Sequence, residues 1–147
     1  MKRLDHDISS LTQCVLAQVP HEKITNLIEH FHHLGRALWF STLLDAAMHR
    51  EWIFALGRLD AEGRVAHLIL ELVERLRLID QYQDNVMSIP LTQRDYSEAC
   101  GITAVHANRI FRTLRERGAL RPACNGGVEI LDKDLLRSIA EFDGAYL

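Results

Sequence analysis

The chain has 147 residues, of which 48% are hydrophobic and 25% are charged, an ordinary composition for a globular protein. This length excludes a large multidomain enzyme, and no apolar run approaches the ~20 residues that cross a bilayer, so no membrane partner is expected. The net charge is −3, yet residues 103–121 contain five arginines and one glutamate. Such a local concentration of positive charge in an acidic chain indicates a nucleic-acid-binding segment.

The first 58 residues are predicted to form one strand-like run and two helices. Residues 12–19 read TQCVLAQV and stop at Pro20, which is typical of a short strand. Residues 21–33 repeat apolar side chains at helical spacing. Residues 34–58 form the longest helical candidate, and their apolar residues lie on two sides of the helix, so both sides need to be covered.

We expect one of these two sides to pack within the chain and the other to meet a partner helix. The row at heptad spacing is predicted as a homodimer interface and comprises Leu34, Leu38, Ser41, Met48, Trp52 and Ala55. Ser41 and the neighbouring Asp45 interrupt its apolar character. The second row comprises Ala37, Phe40, Leu44, Ala47 and Phe54. The alternative is a central helix in a monomeric bundle.

Helices dominate the rest of the chain as well. Asp60 is a suitable N-cap for a helix over 61–79, and the polar residues 80–90 are predicted as a connection. Compact elements then follow, with helices over 93–100, 104–117 and 133–142 and a hairpin between the last two.

Residues 91–120 carry the signals of a helix-turn-helix. Thr92 and Asp95 form a T-x-x-D capping box that marks a helix start. Gly101 can adopt the left-handed conformation that ends this helix, and Thr103 can cap the next one. Two helices joined by a short glycine-containing turn are the layout of this motif.

The second helix of the motif is predicted to present DNA-reading side chains on its outer face. At 100° per residue, Ala107, Ile110, Phe111 and Leu114 fall on the inner side. The opposite side holds Val105, Asn108, Arg109, Arg112 and Glu116. Arginine can bond both acceptors of guanine, asparagine can bond adenine, and valine can touch a thymine methyl group. A merely solvated basic face is the alternative interpretation.

A hairpin is predicted directly after this helix. Residues 120–123 and 128–131 are strand candidates, and residues 124–127 (Cys-Asn-Gly-Gly) are a turn signal. A hairpin in this position forms the wing of a winged helix-turn-helix, and Arg121 in it is predicted to contact a phosphate.

The segment LTQRDYSEACGITAVHANRIFRTLRERGAL, followed by VEILDKDLLRSIAEFD, resembles the winged-helix domain of the CRP/FNR transcription regulators. This resemblance implies a mainly α fold with a small β-hairpin, in which a long dimerisation helix precedes a winged helix-turn-helix domain. It also implies that Arg109 reads guanine and that Thr103 and His106 contact the DNA backbone. Val105 stands where well-known members carry a glutamate, so their half-site sequence cannot be transferred.

By the same resemblance, residues 1–33 correspond to a remnant of the effector domain, 34–58 to the dimerisation helix and 59–147 to the DNA-binding domain. Most of the effector β-roll is expected to be missing, and the family's phosphate-binding cassette and iron–sulfur cysteines are not found. We therefore expect no cofactor, and no response of DNA affinity to cyclic nucleotides.

Other chemistries find less support in the sequence. His30 and His33 share a helical face, but no matching set of Cys or His supplies a zinc site, so no metal is predicted. Cys14, Cys100 and Cys124 have no histidine at a recognisable spacing, so the chain is predicted not to be an enzyme. Their scatter also argues against disulfides and favours a cytoplasmic location.

The sequence thus predicts a DNA-binding transcription regulator that acts as a homodimer on an inverted-repeat operator in double-stranded DNA. RNA polymerase is a further candidate partner. The alternative is a dimerisation partner that modulates a longer homologous regulator without binding promoters alone.

Overall fold

A computed structural model describes residues 7–123 and 127–147 and confirms a mainly helical fold with a small antiparallel sheet. In chain order its elements are α1 (His21–His30), α2 (His32–Arg58), α3 (Ala61–Arg77), β1 (Tyr82–Gln83), β2 (Val86–Met87), α4 (Gln93–Cys100), α5 (Ala104–Glu116), β3 (Leu120–Pro122), β4 (Val128–Ile130), α6 (Lys133–Ala140) and a 3-10 turn (Gly144–Tyr146).

The predicted strand over residues 12–19 is wrong. These residues have no regular secondary structure and are exposed, with the Val15 side chain fully accessible. An isolated extended segment has no hydrogen-bonding neighbour to make it a strand, and none of the described strands lies against it.

The predicted helix over residues 21–33 is divided at Phe31. The backbone of Phe31 leaves the helical region (φ −128°, ψ 76°), while its N–H still donates to the Leu27 carbonyl at 2.8 Å. Phe31 therefore ends α1 and also precedes the first residue of α2.

Helix α2 is long and mostly uncovered. Its 27 residues extend for roughly 40 Å, and Ala55 is its single buried residue. The expectation that its second apolar row packs within the chain is wrong, because Phe40 and Phe54 are 68% and 42% exposed. The reason is that α1 touches α2 near its start, whereas α3 and the 3-10 turn touch it near its end.

The hydrophobic core lies around α3, which packs mainly against α6. Asp60 caps α3 as predicted, accepting a hydrogen bond from the Gly63 N–H at 2.7 Å. The fully buried side chains of α3 are those of Val65, Ala66, Ile69, Leu70 and Val73. Leu114 from α5 and Leu136 from α6 complete this core, which fixes α5 at the surface of the domain.

The sheet has four strands in the order β1-β2-β4-β3, so the prediction of a plain connection over residues 80–90 is wrong. Strands β1 and β2 form a hairpin whose turn residues Asp84 and Asn85 have positive φ. Val86 and Met87 then pair with Glu129 and Val128. The predicted wing hairpin is therefore supported from one side by a second hairpin.

Gly127 is required where these two hairpins meet. A Cβ atom at this position would collide with the backbone carbonyl of Met87 in β2. Its neighbours in the predicted turn, residues 124–126, lie outside the described residues.

Candidate nucleic-acid interface

The start of α4 is held by the predicted capping box. The Thr92 side chain accepts from the Asp95 N–H at 3.2 Å, and the Asp95 carboxylate accepts from the Thr92 N–H at 2.6 Å. Hydrogen bonds from the hydroxyl and the amide of Thr92 lower the pKa of Asp95. This network fixes the residue at which the first helix of the motif begins.

The turn between α4 and α5 follows the predicted chemistry. Gly101 is left-handed (φ 62°), and the Ile102 N–H donates to the Ser97 carbonyl at 2.9 Å. Thr103 then caps α5 by accepting from the His106 N–H at 3.2 Å. The two helices are thus joined by three residues, and the start of α5 is exposed.

Helix α5 has the two faces that its sequence predicts. Ala107, Ile110, Phe111 and Leu114 are buried. The predicted reading residues are all exposed: Thr103, Val105, His106, Asn108, Arg109 and Arg112. The structure therefore places the candidate contact residues together on one surface.

The arginines of this region differ in their hydrogen-bond and ion-pair partners. Arg117 donates to Glu62 at 2.6 Å, and Arg112 lies 3.8 Å from Glu116. Arg109 makes no hydrogen bond or ion pair with any other residue in the described part of the chain. Its guanidinium can accordingly meet a base or a phosphate without breaking an existing ion pair.

Two candidate contact residues are held by partners that the sequence analysis did not identify. The Asn108 side-chain amide donates to the Gln93 side chain of α4 at 2.8 Å. Arg121 donates through Nε and a terminal nitrogen to the two carboxylate oxygens of Glu129, each at 2.8 Å. Arg121 and Glu129 are directly opposite in the β3–β4 ladder, a register that the predicted hairpin could have indicated.

Comparison with known protein families matches residues 63–139 to the Crp-like helix-turn-helix domain. This match includes α4, α5 and both wing strands, and covers slightly more than half of the chain. The chain belongs to the Crp-like helix-turn-helix family. The resemblance to the CRP/FNR regulators is thereby confirmed.

Relatives of this Crp-like chain include regulators from bacteria. It is 27% identical over 133 residues to the nitrogen fixation regulation protein FixK of Bradyrhizobium diazoefficiens, covering 90% of this chain and 54% of FixK. It is 26% identical over 141 residues to the transcriptional activator protein FnrL of Cereibacter sphaeroides, covering 92% of this chain and 55% of FnrL. The chain therefore spans about half the length of these curated relatives.

Solved structures show the same fold. FixK2 from Bradyrhizobium japonicum superposes with a TM-score of 0.74 at 21% identity, covering 86% of this chain and 61% of FixK2. A CRP-family transcriptional regulator from Thermus thermophilus superposes with a TM-score of 0.58 at 16% identity, covering 81% of this chain and 57% of that regulator.

Glu129→Gln in the Crp-like domain is expected to strengthen binding to DNA of any sequence by a few-fold, because the substitution removes the carboxylate that binds Arg121 through two hydrogen bonds. The salt dependence of binding should steepen, by up to about one unit on a log–log plot for one added phosphate contact. Fluorescence anisotropy on random duplexes at several salt concentrations measures both quantities. Glu141→Gln is the control, since Glu141 also accepts from an arginine, Arg58, at 2.8 Å, although through one carboxylate oxygen only. Equal gains in both variants would show that only the net charge matters.

Cys100 is buried at the end of α4. Burial raises the pKa of the Cys100 thiol to about 11, and the nearby Arg64 opposes this only in part. Cys100 is therefore protonated near neutral pH and is a poor nucleophile. Cys14 is exposed, and Cys124 lies outside the described residues. Within those residues, no three potential metal ligands converge and no helix has the length and hydropathy to span a membrane.

Proposed function

We propose that this chain regulates transcription by binding double-stranded DNA in a sequence-specific manner, as a homodimer on an inverted-repeat operator. The observation that carries the proposal is the outer face of α5. This helix belongs to a helix-turn-helix whose two helices are both N-capped, and it exposes Arg109, which has no ion pair among the described residues. Relatives of this chain are described as a nitrogen fixation regulator and a transcriptional activator, which agrees with this role.

The exposed residues divide into two kinds of contact. Arg109 is assigned to guanine, Asn108 to adenine and Val105 to a thymine methyl group, and Arg112 extends this base-reading face. Asn108 shares its side-chain amide with Gln93, so its orientation is set by α4 before DNA arrives. Thr103, His106 and Arg121 are assigned to the phosphate backbone, where they position the helix rather than specify the sequence.

The dimeric state is supported by the uncovered length of α2. Leu38, Trp39 and Phe40 are 48%, 68% and 68% exposed, an apolar surface that isolated soluble proteins rarely leave open. The row of α2 residues at heptad spacing is called the seam below. In this seam Leu34 and Met48 are half-buried, while Leu38, Ser41 and Trp52 are exposed. Ala55 is buried within its own chain, so the part of the seam that can contact a second copy lies before residue 55.

Selection of bound duplexes from random DNA with the purified chain tests this function. A helix-turn-helix homodimer should select an inverted repeat with half-site centres about 10 base pairs apart. Binding should weaken steeply as salt rises, since several phosphates are neutralised. A folded chain that enriches no sequence and binds no duplex would contradict the proposal and favour the alternative of a dimerisation partner for a longer homologue. RNA polymerase stays a candidate partner, to be tested on the selected operator.

A further inference from the structure

The long helix α2 is joined to α3 by two residues, Leu59 and Asp60, whose backbones are extended (ψ 145° and 178°). Arg64 of α3 donates to the Leu59 carbonyl at 3.1 Å, which holds the backbone of this joint but does not reach the body of α2. Packing adds little, because Ala55 is the single buried residue of α2 and a cavity of about 120 Å³ lies between α2, α3 and α4. The angle between α2 and α3 therefore depends on a few specific contacts.

One of these contacts ends on a buried carboxylate of α3. Glu71 is 0% exposed, and its Oε2 accepts from the indole N–H of Trp52 on α2 at 2.6 Å. The same oxygen accepts from the Tyr146 hydroxyl at 3.3 Å, and Arg75 lies 3.5 Å from the other oxygen. Moving α2 away would take the closest donor from a buried acceptor, which is costly. The Trp52–Glu71 hydrogen bond is called the clamp below.

A salt bridge also crosses the joint, but it is more exposed than the clamp. Arg58, the last residue of α2, donates to Glu141 at 2.8 Å. The two side chains are 61% and 48% exposed, and ion pairs in contact with water contribute little stability. The clamp has a fully buried acceptor, so it resists a change of angle more strongly than the salt bridge does.

The angle at this joint matters for DNA binding by a dimer. In the proposed homodimer, α2 contacts the second copy and α5 contacts the DNA, so the angle between α2 and α3 sets the distance and the rotation between the two copies of α5. Adding one base pair between the half-sites moves them apart by about 3.4 Å and rotates them by about 35°. A dimer can follow this change by bending the joint in one of its copies.

We propose that Trp52 is a positioning residue that determines which half-site spacing the dimer accepts. A dimer on an operator of the wrong spacing must break one clamp, so the free energy of the clamp is subtracted from the affinity for that operator. The clamp is intact on an operator of the right spacing, where it leaves the base contacts of α5 unchanged. This role in spacing rests on the proposed DNA-binding function, whereas the clamp itself does not depend on DNA.

The clamp is tested first on the full chain without DNA, by NMR of the indole N–H groups. The chain has two tryptophans, Trp39 and Trp52, and Trp39→Phe assigns their two signals. We expect the Trp52 indole to exchange with solvent at least about tenfold more slowly than the Trp39 indole, because it is hydrogen-bonded to a buried group. Glu71→Met removes the acceptor and should abolish this difference, whereas Glu71→Gln retains an acceptor and should keep most of it. Equal exchange rates in the wild-type chain would overturn the clamp.

The role in spacing is tested by anisotropy on the selected operator and on versions with one base pair added or removed at its centre. Trp52→Phe keeps an aromatic ring without the N–H, and it should reduce the preference for the selected spacing by at least about fivefold. Trp39→Phe is the matched control and should keep this preference, since Trp39 is 68% exposed and lies about 140° around α2 from Trp52.

An unchanged preference in a folded, dimeric Trp52→Phe chain would overturn the role in spacing. If sedimentation velocity finds Trp52→Phe monomeric, Glu71→Met breaks the clamp from α3 without changing the seam, and the same criterion applies to it. A wild-type chain that selects no inverted repeat would contradict the proposed function and, with it, the role in spacing. The exchange rates judge the clamp independently of that result.

Discussion

Arg109→Ala is expected to weaken binding to the selected operator by about 1–3 kcal/mol per half-site, which is a loss of roughly 5- to 150-fold. The reason is that Arg109 is exposed on the outer face of α5 and has no hydrogen-bond or ion-pair partner in the part of the chain that the structure describes. Its guanidinium is therefore available to two acceptors of guanine. The loss should be much smaller on random duplex, and discrimination should relax at one base pair in each half-site. Anisotropy titrations against the operator and its single-base variants measure this pattern.

Arg137→Ala is the control for this experiment. Arg137 is an arginine of α6 that is 47% exposed and lies 4.0 Å from Glu74, so the variant removes the same charge without touching α5. It should leave discrimination between bases unchanged. If Arg109→Ala instead loses as much affinity for random DNA as for the operator, Arg109 contacts phosphate and does not read a base.

The double variant Leu38→Glu, Met48→Glu is expected to be monomeric and to lose about 100-fold or more in affinity for the inverted repeat. Four carboxylates would face one another across the proposed seam and repel. A monomer also loses affinity because it contacts one half-site only, whereas in a dimer the second half-site is bound in an effectively intramolecular step. Sedimentation velocity reports the oligomeric state, and anisotropy reports the affinity. Trp52 is left intact because its indole N–H donates to the buried Glu71 at 2.6 Å, so changing it would also disturb α3.

Leu43→Glu, Ile53→Glu is a matched control for the seam. It places the same two charges ten residues apart on α2. Leu43 lies about 140° around the helix from Leu38, and Ile53 lies about 140° from Met48. Leu43 and Ile53 are 54% and 71% exposed in the single chain. This variant should remain dimeric. If it dissociates while the first double variant does not, the two copies meet through the opposite side of α2.

The helix-turn-helix could be predicted because its signals are local. The hydrogen bonds between Thr92 and Asp95 and from His106 to Thr103 each join residues three apart, so the sequence displays both partners within one turn. The burial of Ile110 and Leu114 follows from helical periodicity in the same way. These patterns predict from the sequence alone which face of α5 is exposed.

The strands of the second hairpin were missed because they are too short for periodicity to appear. Strands β1 and β2 have two residues each, and β2 is completed by pairing with β4, about 40 residues later. The Asp84-Asn85 pair was the available signal, since both residue types tolerate the positive φ of a tight hairpin turn. In the opposite direction, residues 12–19 have strand-like composition but no strand beside them.

The sequence by itself determined the capped helices, the turn at Gly101 and the outward position of Arg109, because these depend on contacts within a few residues. Tertiary structure decided which charged and polar groups meet. Glu129 faces Arg121 through strand register, and Trp52 and Tyr146 converge on Glu71 from 19 and 75 residues away. It also left Phe40 uncovered, because periodicity reveals that a helix face is apolar but not what packs against it. Partners distant in sequence are selected by the packing of whole elements, and no local pattern records that choice.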